Sequence, residues 1–200
     1  MAKRWNKAEL GRLATEIRRV DLGLTEFQPL CPYRLAEEHG VDVYSLADLA
    51  EAGCPQEAID YFTKMQPGVW SAALVPNGTG QFIVENPVHT PRRRRSNLAH
   101  EMAHLLLEHE FDRILFTDGK RGCRNPSTKQ MEQEATELSG ELLLPAAAAR
   151  RAAVKNMSDE EVADLYDVSV EFARWRLNTT GARLIAQRAA QKRARAPARR

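Results

Sequence analysis

The stretch Asn97-Leu98-Ala99-His100-Glu101-Met102-Ala103-His104-Leu105-Leu106-Leu107 decides how the chain is read. It contains H-E-x-x-H. On a helix, residues four apart share one face a turn apart, so His100 and His104 can present two imidazoles to one metal ion. Glu101 sits about 100° further round, within reach of a water on that metal. Leu98, Met102, Leu105 and Leu106 supply an apolar stripe, with Ser96 or Asn97 as the expected N-cap. A catalytic zinc takes three protein ligands and keeps one open position, so a third ligand must come from elsewhere. The competing reading of the motif is a helix with two half-buried histidines bonded to backbone.

The next carboxylate-rich helix opens at Ser127-Thr128-Lys129-Gln130, an S-x-x-Q capping box, and stops at Pro145. It carries Glu132, Glu134, Glu137 and Glu141. Glu134 falls three residues after Met131 and four before Leu138, on the stripe with Ala135 and Leu142. A carboxylate on an inward stripe must be paired or metal-bound, because burying it alone is costly. Glu134 is therefore the expected third ligand, with Glu132 as the second candidate. An ion pair from Glu134 to Arg94 is the structural alternative. The roughly 30 residues between His104 and Glu134 allow helix, loop and antiparallel helix.

The rest of the chain gives context. Two hundred residues, 43% hydrophobic and 28% charged, suit one soluble domain. A net charge of +2 makes no global case for nucleic acid or membrane. Cys31, Cys54 and Cys123 form no C-x-x-C pair, which argues against a zinc knuckle or disulfide framework and for the reducing cytoplasm. No apolar run approaches the roughly 18 residues of a membrane span. We expect a single domain over 1–184 and a basic, unstructured tail over 185–200. Helices are expected from about Asn6 to Arg19 and from Pro32 to Gly40. Short strands are expected at Val41–Tyr44 and Arg113–Phe116. The clear β signal is a hairpin, Trp70–Val75 and Gln81–Asn86 around Pro76–Gly80. Arg92 to Arg95, just before the metal helix, oppose its dipole and call for nearby carboxylates or an acidic partner.

The segments Arg93–His109 (R-R-R-S-N-L-A-H-E-M-A-H-L-L-L-E-H) and Glu132–Pro145 (E-Q-E-A-T-E-L-S-G-E-L-L-L-P) resemble the ImmA/IrrE family of metallopeptidases. That family shows R-R-F-T-x-A-H-E-x-x-H-x-x-L after a short hairpin, then E-A-x-x-F-A-x-x-L-L-M-P. The departures are Ser96-Asn97 for Phe-Thr and Leu138-Ser139 for Phe-Ala. The resemblance implies an α+β, mainly helical, zincin-like domain with a small antiparallel sheet. It implies a metal on His100, His104 and Glu134, Glu101 as catalytic base, and cleavage of a helix-turn-helix repressor that frees mobile-element or stress genes. Zinc (Zn2+) is the default ion; manganese (Mn2+) and iron (Fe2+) suit the same donors. His89, His109 and Tyr166 are candidate oxyanion donors.

A second function competes. Val162–Leu177 reads as a helix pair around Asp167, with Arg174 and Arg176 on the second helix, like a helix-turn-helix. Either 158–180 binds DNA, or it packs as part of the peptidase domain. A metal-binding protein without turnover is the third possibility. The expected partner is a protein substrate, with no membrane contact and no nucleic acid held by the chain alone.

Overall fold

The computed structural model describes residues 4–78, 80–109 and 126–195. The expected strand at Arg113–Phe116 lies outside them. α1 (Lys7–Val20) begins at a reciprocal cap, in which Asn6 Oδ1 accepts from Glu9 N and Glu9 Oε2 accepts from Asn6 N. α2 (Pro32–Glu38) follows, and β1 (Val43–Ser45) forms two residues later than expected. A 3-10 turn (Asp48–Ala50), a short α3 (Gln56–Asp60) and a π turn (Tyr61–Met65) lead to β2 (Ala72–Asn77) and β3 (Gly80–Glu85).

The sheet order is β1-β3-β2. β2 and β3 form the expected antiparallel hairpin, in register from Ala72↔Glu85 to Asn77↔Gly80. The strands run on through Pro76, so the turn is tighter than its Gly-rich sequence suggested, with Gly78 at φ +62°. β1 adds parallel to β3, so the sheet is mixed rather than purely antiparallel. Asn86, fully buried, closes the hairpin's base by donating to Phe62 O (2.9 Å) and Trp70 O (3.1 Å).

α4 (Pro91–Leu106) starts at Pro91, with Thr90 as N-cap, and not near Ser96. Proline fits the first turn because its missing N–H has no intrahelical partner there. The four arginines thus lie inside the helix. α5 (Pro126–Leu143) packs against α4 on one side and α1 on the other. α6 (Ala146–Val154), α7 (Asp159–Tyr166), α8 (Val170–Thr179) and α9 (Ala182–Arg195) complete the described chain. α7 opens with a capping box that Ser158 and Glu161 encode locally, and ends at Asp167 in the left-handed region, φ 51°. The basic segment after Arg183 is helical to Arg195, where an unstructured tail was expected; its alanines favour that state.

One apolar core joins α1, α2, α4, α5, α6, α7 and α8, through Leu10, Leu98, Met102, Leu138, Leu142 and Val162 among others. A smaller cluster of Leu46, Ile59 and Val84 lies on the sheet. None of the described helices is long and apolar enough to cross a membrane.

Candidate metal centre

α4 delivers its two imidazoles as the spacing requires. The ring centroids of His100 and His104 are 4.7 Å apart, and their Nε2 atoms lie 3.0 Å apart. The neighbouring carboxylate is Glu132 of α5. Its Oε2 is 3.3 Å from His100 Nε2 and its Oε1 3.4 Å from His104 Nε2. Ligand atoms of His100, His104 and Glu132 all fall within 4.8 Å of one another.

Glu134, expected at the ions' third corner, is not in that group. It is buried (6% exposed) and faces elsewhere. Its Oε1 accepts from Trp5 N (3.0 Å) and Gln130 Nε2 (2.7 Å). Its Oε2 lies 3.3 Å from His109 Nε2. Glu134 thus has the partners that a buried carboxylate needs, and they are groups of the protein itself. Arg94, its alternative partner in sequence, pairs instead with Glu85.

The donor set fits a divalent metal. Zinc-to-nitrogen and zinc-to-oxygen bonds of about 2.0–2.1 Å in a tetrahedron place neighbouring donors about 3.4 Å apart. The three separations between side chains, 3.0, 3.3 and 3.4 Å, lie close to that edge. Two imidazoles and a carboxylate are a donor set that leaves a fourth position for water. Glu101, adjacent to His100 on α4, is 6% exposed.

The end of α4 adds a third histidine. Glu108 adopts φ 52°; its N–H donates to Leu105 O (2.9 Å), and His109 N–H donates to His104 O (3.0 Å). This is a Schellman turn with glutamate where glycine is usual. It folds His109 back so that its Nδ1 is 2.9 Å from His104 Nδ1. Burial, then the neighbouring His104, hold His109 below the usual imidazole range. His109 is therefore no free oxyanion donor. His89 lies on Trp70 O (3.2 Å) and Tyr166 on Phe27 O (3.4 Å).

A groove opens beside His100, lined by Ser96, Asn97, Thr136 and Ser139, with Phe172 and Trp175 of α8 on its far wall. The two aromatic rings meet edge to face at 5.3 Å. Gly140 allows this approach, since a Cβ there would stand 3.1 Å from Trp175 and from Arg176 Nε.

The arginine run is spent within the domain. Arg92 pairs with Asp164 (2.7 Å), and Arg95 with Asp167 (3.1 Å) and Leu30 O (2.7 Å). Arg94 and the Tyr33 hydroxyl (2.9 Å) both bond Glu85 at the end of β3. Burial first, and that hydrogen bond second, push the Tyr33 hydroxyl up to about 12. In α8, Arg174 bonds Asp159 (2.8 Å), and Arg176, fully buried, bonds Leu144 O (3.0 Å) and Glu137 (3.0 Å).

Residues 36–178 match the IrrE N-terminal-like domain of the M78 peptidases. The chain belongs to this peptidase family. No curated protein matches it. The IrrE-like match spans α4, α5 and all three members of the His100–His104–Glu132 group, while α1 and Trp5 precede it. Membership in an M78 peptidase family makes a metal-dependent peptidase the class to which this centre belongs, and a peptide or protein its class of substrate.

Proposed function

We propose that this chain is a zinc-dependent endopeptidase whose metal is held by His100, His104 and Glu132, with Glu101 as general base. The observation that carries the reading is the convergence of two Nε2 atoms and one carboxylate within 3.0–3.4 Å. Zinc bound there supplies Lewis acidity, which acidifies a water and polarises the substrate carbonyl. His100 and His104 contribute neutral imidazole lone pairs, and Glu132 contributes negative charge. Glu101, one residue from His100 on the same helix, takes a proton from the attacking water and returns it to the leaving amine. The groove between α4, α5 and α8 runs from His100 to Phe172 and Trp175, a path for an extended peptide with an apolar side chain at its far wall.

The substrate we propose is a helix-turn-helix repressor, whose cleavage relieves repression of mobile-element or stress genes. Support comes from the resemblance of Arg93–His109 and Glu132–Pro145 to ImmA/IrrE peptidases. The site of action we propose is the cytoplasm, in keeping with three widely spaced cysteines that form no C-x-x-C pair.

The test is co-expression of the protein, or of Glu101→Gln, with candidate repressors, read by mass spectrometry of fragments. The expected result is cleavage by the wild type and none by Glu101→Gln, with bound zinc equal in the two. Cleavage by Glu101→Gln, free of wild-type contamination, overturns the role of Glu101. Zinc-free wild-type protein that still cleaves overturns the metal assignment.

A further inference from the structure

We infer that His109 and Glu134 are positioning residues that fix the tautomer and orientation of His104, through a chain of hydrogen bonds anchored on the backbone of Trp5. The inference rests on the proposed metal site at His100, His104 and Glu132.

The chain has one consistent direction. His104 Nε2 turns toward His100 Nε2 and Glu132, so its lone pair must point there and its proton must sit on Nδ1. That N–H donates to His109 Nδ1, 2.9 Å away. With Nδ1 accepting, the proton of His109 sits on Nε2 and donates to Glu134 Oε2 at 3.3 Å. Glu134 ends the chain as an acceptor. Its other oxygen is filled by Trp5 N–H (3.0 Å) and Gln130 Nε2 (2.7 Å). Reversing any link sets two protons or two lone pairs against each other. Each member is shielded from water: the side chains of His104, His109 and Glu134 are 2%, 5% and 7% exposed.

The backbone is bent to serve this chain. Glu108 holds the left-handed conformation, which a non-glycine residue adopts only under strain. That turn is what carries His109 back beneath His104. Histidines that ligate metals commonly donate their other N–H to a carboxylate or carbonyl, and loss of that partner weakens metal binding. Here a second imidazole is interposed between ligand and carboxylate. The far anchor, Trp5, precedes the family-matched residues 36–178, so the N-terminal segment is tied to the centre.

The experiment measures zinc affinity by chelator competition, and the visible spectrum of the cobalt-loaded protein, for wild type, His109→Leu, His109→Asn and Glu134→Gln. Folding is checked by circular dichroism. His109→Leu is expected to bind zinc about 10–100-fold more weakly and to shift the cobalt bands. His109→Asn, whose side-chain oxygen can accept from His104, is expected to recover part of that loss. Glu134→Gln, the milder change, is expected to weaken binding while the fold is retained. Wild-type affinity and an unchanged cobalt spectrum in folded His109→Leu and Glu134→Gln overturn the inference alone. A wild type that binds no zinc overturns the underlying site and this inference with it.

Discussion

Two carboxylates separated by one residue carry opposite duties in α5. Glu132 and Glu134 lie about 200° apart around the helix axis. Glu132 turns to the imidazoles on α4 and keeps 22% of its side chain exposed, as a site open to water requires. Glu134 turns away and satisfies both oxygens with protein donors. Glu132→Ala should therefore abolish stoichiometric zinc, while Glu134→Ala should retain it at lower affinity. Metal content of the two purified variants checks this, and equal occupancy would count against Glu132 as ligand. The sequence pattern places Glu134 on a single inward stripe, whereas α5 is covered by α4 on one side and α1 on the other. The signal that favours Glu132 was present: it shares its face with Thr136 and Ser139, small polar residues that line the groove beside His100.

Among elements, α8 is held to α5 by a buried cation. Arg176 is fully buried between Glu137 and Glu141. Burial alone would raise the Glu137 carboxyl, but Arg176 and then Lys7 outweigh it and hold it below its usual 4.5. A depressed carboxyl stabilises the fold fully above that usual value, and the contribution is lost as pH falls through the lowered one. Removing the cation leaves the largely buried Glu141 without its ion-pair partner and Glu137 with only the exposed Lys7, a loss of about 3–5 kcal/mol. Arg176→Met should thus unfold at markedly lower denaturant at neutral pH. Below about pH 4.5 its deficit against wild type should begin to shrink, and it should be smallest once pH has passed through the lowered value, where both proteins carry a neutral Glu137. Denaturant midpoints across that range provide the measurement; a deficit independent of pH would contradict the assignment. The exposed pairs of Arg92 with Asp164 and Asp167 are screened by water and contribute much less.

At the scale of the molecule, the helix pair α7 and α8 is a wall of the domain. Val162, Ala163, Val168, Ala173 and Leu177 join the same core as Leu98 and Leu138. The arginines that suggested a recognition helix are engaged inward or with Asp159. Purified protein should leave random duplex unshifted in a gel at near-physiological salt; a shift that fades as salt rises would restore the DNA-binding reading.

What the sequence determined by itself was local. His100, Glu101 and His104 are ordered by helical spacing alone, and the hairpin, the Ser158 cap and the stop at Pro145 depend on near neighbours. Tertiary structure decided the rest. Which glutamate meets the imidazoles depends on how α5 is rotated between two packed helices. Where the arginine run goes depends on carboxylates as far as 72 residues away. The third histidine was visible in the chain, but its place under His104 depends on a strained turn at Glu108 and on Glu134 and Trp5 closing over it. Spacing along one helix is fixed by backbone geometry, whereas the choice among equivalent side chains on different elements is made by packing.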